Sequence, residues 1–169
     1  MRNNSDDTLL FYYAGHGVPD VDGDIYLASS DIDPDKPYRR GFSFEELSKM
    51  IQKNMSTRIV VILDCCYSSS AKVSIGDEED AAKMGGTIID EKSKKLLEGQ
   101  GRYVISASQT AQEAPANDGK NSKLTHYLLQ GLKGNTESID SKGNVTPQLL
   151  AKYVYRAIIN EPPTVSYNI

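Results

Sequence analysis

Residues 58–66 read Arg-Ile-Val-Val-Ile-Leu-Asp-Cys-Cys, and this stretch decides the fold. Ile59 to Leu63 is apolar, mostly β-branched and too short for a typical helix, so Arg58–Leu63 reads as a strand that ends at Asp64-Cys65-Cys66. A second run, Thr8 to Ala14 (TLLFYYA), is continuously apolar and aromatic and ends at Gly15-His16-Gly17. It reads as a strand buried on both faces. Ligand sites in open α/β sheets lie just beyond the carboxyl ends of strands. Both strands run directly into residues capable of chemistry. Side by side, they would bring His16 and Cys66 together at one edge of the sheet.

Outward from these two strands, the chain alternates. Val18 to Gly23 is rich in turn residues, Ile25 to Ala28 is a short strand, and Ser29 to Gly41 is a polar loop. Ser43 with Glu46 three residues on has the spacing of a capping box, and Phe44, Leu47, Met50 and Ile51 continue an apolar helical face. Lys72 to Gly101 reads as a long, partly helical surface excursion. Arg102 to Ser108 (RYVISAS) returns to strand. Ser122 to Leu132 suits a helix, Asn135 to Asn144 a loop, and Thr146 to Ile159 a second helix with Pro147 at its first position. Glu161-Pro162-Pro163 stops it. Apolar strands alternating with helices predict an α/β domain, a mostly parallel sheet covered on both faces.

Bulk properties narrow the function classes. The chain has 169 residues, enough for one domain with a core. Its 38% hydrophobic and 25% charged residues are those of an ordinary globular protein. A net charge of -4 disfavours a nucleic-acid partner, because phosphate binding wants a basic surplus. No apolar run approaches the roughly 20 residues of a spanning helix, and no secretory signal pattern opens the chain. No membrane partner is therefore expected. Two adjacent cysteines cannot build a disulfide framework and fit a reducing, cytoplasmic compartment. No second Cys/His cluster stands at zinc spacing, so no metal site is assigned.

The remaining question is what a thiol and an imidazole at one sheet edge can do. A thiol is a strong nucleophile as thiolate, and a neighbouring imidazole supplies that state. His16 would take the Cys66 proton and later return it to a leaving amine. An oxyanion needs donors, and the N–H groups of Gly17 and Cys66 are the candidates, glycine permitting close approach of the backbone.

These residues resemble a known family. Tyr13-Ala14-Gly15-His16-Gly17 is similar to the histidine motif of the caspase-like cysteine peptidases, and Asp64-Cys65-Cys66-Tyr67-Ser68 to the cysteine motif of their metacaspase and bacterial members. The family rule of a histidine about 50 residues upstream of the cysteine is met by positions 16 and 66. Gly101 to Gln109 resembles the first strand of the family's small subunit, and Leu124 to Leu132 the helix that follows it. The motif selects Cys66, third from Asp64, over Cys65, which reads as packing. Tyr67 and Ser69 depart from the family's usual His and Gly.

The resemblance implies a caspase-like three-layer α-β-α sandwich in one domain over residues 1–169. Residues 8–71 would be large-subunit-like, 72–101 linker-like and 102–160 small-subunit-like. It implies a cysteine endopeptidase acting on protein or peptide substrates. Asp64 would help form an acidic pocket favouring Arg or Lys before the scissile bond, with Ser106 also contacting substrate. Lys72, Lys83, Lys92, Lys94 and Lys95 would offer self-cleavage sites. It also implies that the strands preceding the histidine strand are missing, so that a complementing chain or a homodimer through a sheet edge is an expected partner. No cofactor is required by the sequence. Ca²⁺ is the one candidate ion, through Asp20, Asp22, Asp24 or Asp31, Asp33, Asp35, against the simpler reading of solvated acidic turns. His126 reads as structural or solvated. The competing functions are an inactive caspase-like domain that serves as an interaction module, and redox sensing by the vicinal thiols, which strained vicinal pairing disfavours.

Overall fold

A computed structural model describes residues 5–66, 101–106 and 121–160. The excursion with its lysines, Tyr67 to Ser70, Ala107 to Gln109 and the Pro162-Pro163 stop lie outside the described residues. The chain forms two compact units, Met1–Gln109 and Thr110–Ile169.

The first unit carries a five-stranded sheet. Its strands are β1 (Thr8–Pro19), β2 (Ile25–Leu27), β3 (Phe42–Ser43), β4 (Arg58–Cys66) and β5 (Arg102–Ser106), in the order β3-β2-β1-β4-β5. The sheet is mixed: β1, β4 and β5 run parallel, whereas β2 and β3 form an antiparallel flank. Parallel neighbours need a crossover and antiparallel ones only a tight return. The short Asp20–Asp24 turn supplies that return between β1 and β2, closed by Asp20 N–H to the Asp24 carbonyl at 2.8 Å.

Helix α1 (Phe44–Gln52) starts where the capping box predicts. The Ser43 hydroxyl accepts from Glu46 N–H at 3.1 Å, and the Glu46 carboxylate accepts from Ser43 N–H at 3.0 Å. Phe44, Leu47 and Ile51 of α1 join Leu27, Ile59, Val61, Leu63, Cys65 and Val104 in one buried cluster. Leu9, Phe11 and Tyr13 pack against its border. These are alternate residues of each strand, as a pleated face requires.

Two strand expectations change. Both key strands run further than the sequence predicts, β1 through the glycines to Pro19 and β4 through Asp64 to Cys66. Glycine and polar residues end a strand only when no partner is offered, and here the ladders continue. Burial also differs. β4, between two parallel neighbours, is buried on both rows, with Ile62 and Asp64 covered as well as Leu63 and Cys65. β1 is not: Leu10 is 60% and Tyr12 46% exposed. Among the described residues of this unit, α1 covers the Leu9–Phe11–Tyr13 row and no helix covers the other. An apolar run shows that a strand is hydrophobic, not which of its faces is covered.

The second unit pairs α2 (Lys123–Leu132) with α3 (Pro147–Asn160). Ser122 caps α2, accepting from Thr125 N–H at 3.0 Å. The helices approach closely at Gly131, where an added Cβ would run into Leu150 Cδ1 and stand 3.0 Å from Tyr153 Cδ1. The Tyr153 hydroxyl then donates to Gln130 Oε1 at 2.9 Å. Between the helices, buried Ser138 donates to the Gly131 carbonyl at 2.7 Å. Asp140 Oδ1 accepts from Lys142 and Asn144 N–H, both at 2.8 Å, closing the turn before α3.

Entry into β5 depends on Gly101. Its φ is +71°, and an added Cβ would collide with the Thr57 carbonyl oxygen. Its own carbonyl accepts from Ile59 N–H at 2.9 Å, which seats β5 beside β4. Gly101→Ala should therefore cost about 3 kcal/mol, combining left-handed strain with a backbone clash. Urea denaturation checks this, and an unchanged midpoint would contradict it.

Candidate active site

The parallel ladder between β1 and β4 runs without a slip from Thr8↔Arg58 to His16↔Cys66. Register is strongly specified here because one face of both strands is buried. Leu9, Phe11 and Tyr13 must meet Ile59, Val61 and Leu63 over α1, and the following pairs are then set. Ala14 lies opposite Asp64, Gly15 opposite Cys65, and His16 opposite Cys66. His16 and Cys66 thus occupy directly opposed positions at the carboxyl end of β4.

The same alternation separates the two cysteines. Cys65 belongs to the row of Leu63 and Val61, is fully buried, and is part of the core cluster. Cys66 is the next residue and the last of the ladder, opposite His16. His16 is exposed.

At His16 the strand changes partners. Up to this residue β1 pairs with β4; from Gly17 to Pro19 it pairs with β2, Gly17 opposite Leu27. The His16 carbonyl faces β2, where it accepts from Ala28 N–H at 2.9 Å. Alternation then turns the N–H of Gly17 toward the β4 side.

The other expected residues fall as follows. Asp64 is buried and stands two residues before Cys66, on the face of His16. Ser106 is buried at the end of β5, level with Leu63 and on the Leu63 row. The ladder therefore puts Asp64 two positions before the His16↔Cys66 pair, and Ser106 level with Leu63. His126 lies in the second unit, its Nε2 2.8 Å from Gln130 Nε2 and its ring edge-on to Tyr127.

The acidic turns are engaged locally. Asp20 Oδ1 accepts from the N–H groups of Asp22 and Asp24, at 3.0 and 2.8 Å. Asp31 accepts from the Ser29 hydroxyl and pairs with Arg40, and these two hold its carboxyl below the usual carboxylate range. Among the described residues, no group of three or more His, Cys, Asp or Glu stands together as a metal cluster. A cavity of about 300 Å³ opens at the start of α1. It is lined by Asp24, Tyr26, Ser43, Glu45 and their neighbours and includes neither His16 nor Cys66.

One residue gains partners that its position in the sequence did not announce. Tyr13 reaches along the strand over Gly15, and its hydroxyl lies 2.9 Å from the His16 carbonyl and 3.0 Å from that of Ala28. Tyr13 opens the histidine motif in the sequence, but the motif does not say what its hydroxyl meets. Only the return of β2 brings Ala28 within its reach.

A family model for the caspase domain matches residues 1–155, and the chain belongs to that family of peptidases. A search of curated proteins and a search of solved structures each gave no match. Among the described residues, no helix is long and apolar enough to cross a membrane.

The burial of Cys65 has a direct consequence. In a Cys66→Ser variant, Cys65 should resist alkylation in the native state by more than about a hundredfold relative to the denatured chain. Timed iodoacetamide labelling with peptide mapping reads this, and rapid native labelling of Cys65 would overturn its assignment to the core.

Proposed function

We propose that this chain is a cysteine endopeptidase that uses Cys66 as nucleophile and His16 as general base, cleaving after Arg or Lys. The observation that carries the reading is the register: His16 and Cys66 are opposed across β1 and β4 at a strand end. Such positions are where a parallel sheet exposes residues to a ligand.

The chemistry follows from the groups. His16 accepts the thiol proton of Cys66, and the sulfur bonds to the scissile carbonyl carbon. The carbonyl oxygen becomes an oxyanion, stabilised by the N–H groups of Gly17 and Cys66. The tetrahedral intermediate collapses as the imidazolium returns the proton to the amine, which leaves with the carbon–nitrogen bond electrons. Water, deprotonated by His16, then attacks the thioester. Cys66 departs as thiolate and the acid product is released. Asp64, buried on the dyad face, is the carboxylate we assign to a guanidinium or ammonium of the substrate.

A second reading has its own observation. β2 covers β1 only along Gly17–Pro19, and Leu10 and Tyr12 stand 60% and 46% exposed on the neighbouring stretch. A caspase-like domain that binds a partner through this face, without turning over peptides, would use that surface.

Fluorogenic peptides ending in Arg, Lys or Asp, with and without Ca²⁺, separate the two. We expect cleavage of the Arg and Lys peptides. Cys66→Ala should lower kcat at least about 10³-fold, and His16→Ala about 10²- to 10⁴-fold. Turnover of none of the peptides in any condition would favour the interaction module, and full activity in Cys66→Ala would remove the nucleophile assignment.

A further inference from the structure

We propose that Tyr13 is a positioning residue for His16: its hydroxyl ties the His16 main chain to Ala28 and so holds the imidazole opposite Cys66. The inference rests on the reading of His16 as the general base.

The geometry is specific. Tyr13 is an odd-numbered residue of β1, on the core face, whereas His16 is on the other. The phenol crosses the glycine between them and ends between two carbonyl oxygens, 2.9 Å from His16 and 3.0 Å from Ala28. A phenol has one hydrogen and can share it between both acceptors. The His16 carbonyl also accepts from Ala28 N–H at 2.9 Å. With the phenol and the amide, both lone-pair directions of that oxygen are used. This is the point where β1 leaves one ladder for the other, and where a strand would otherwise be free to twist.

Gly15 makes the crossing feasible. A Cβ on Gly15 would stand 2.5 Å from the Tyr13 hydroxyl oxygen and 2.8 Å from Cζ. Any side chain there displaces the ring from its acceptors. The glycine of the Gly15-His16-Gly17 tripeptide is therefore needed for the tyrosine as well as for any ligand. Burial first, and the Cys65 sulfur second, raise the Tyr13 phenol above its ordinary value, so the hydroxyl keeps the hydrogen that it donates.

A base that sits an ångström out of place loses rate without losing substrate affinity. Tyr13→Phe should lower kcat about tenfold, leave KM within about twofold, and move the pH limb of kcat that belongs to the dyad. The chain has two histidines, so the His16 imidazole can be followed by NMR with His126 as an internal control. We expect the His16 signals of Tyr13→Phe to shift or broaden while those of His126 stay in place. Gly15→Ala keeps the hydroxyl and displaces the ring, and should reproduce both effects. His16 signals and a pH limb unchanged in Tyr13→Phe would overturn the proposal, whatever happens to thermal stability. His16→Gln with full turnover would instead sink the base assignment. In that event, the His16 signals of Tyr13→Phe would still decide whether the tyrosine holds the backbone.

Discussion

The molecule depends on one ladder. Nine consecutive residues of β1 lie in parallel register with nine of β4, and the last pair is His16 with Cys66. Nothing at the site sets this register. It is set by the apolar residues further back, which must interdigitate over α1. A slip of one residue would send Leu9, Phe11 and Tyr13 to the uncovered face and take His16 off its partner's level. The packing of the core and the placement of the His16–Cys66 pair are thus one constraint. Core burial, in which each large side chain is worth about 1.5–3 kcal/mol, holds these two residues level.

The second element is the exchange of partners at His16. A long parallel ladder would continue past the site and close it. Here β1 passes to the antiparallel flank of β2 and β3 as β4 reaches Cys66. The histidine stands at the join, its carbonyl committed to the flank and its side chain exposed. Backbone hydrogen bonds are directional and cost free energy when left unmade in a buried place. They give a mobile kind of side chain a fixed base. Tyr13 belongs to the same join, because it donates into it from the core side.

Several features were legible in the residues themselves. The β-branched run 59–63 announced a buried strand, and β4 is one. Ser43 with Glu46 announced the start of α1, since a capping box is a local device with a fixed spacing. Pro147 marked the start of the last helix for a similar local reason. Other features were not. The aromatic run of β1 suggested burial on both faces, yet Leu10 and Tyr12 are exposed, because coverage is a property of neighbours. The glycines around His16 suggested a strand end, yet the ladder runs through them, because a partner was present. Ser106 stands level with Leu63 at the end of β5, a placement its sequence position does not announce.

By itself, the sequence determined the family, the two strands that matter and the chemical types at their ends. Those are local facts: composition over a few residues, a capping distance, a motif order. Only the tertiary structure decided which residues stand beside one another. It put Cys65 in the core and Cys66 level with His16, and it bent Tyr13 across Gly15 to the carbonyls of His16 and Ala28. The physical reason is that register and pleat come from long-range pairing. A strand shows its alternation in one dimension, but which face is buried and which residue lies opposite are set by the strand it joins.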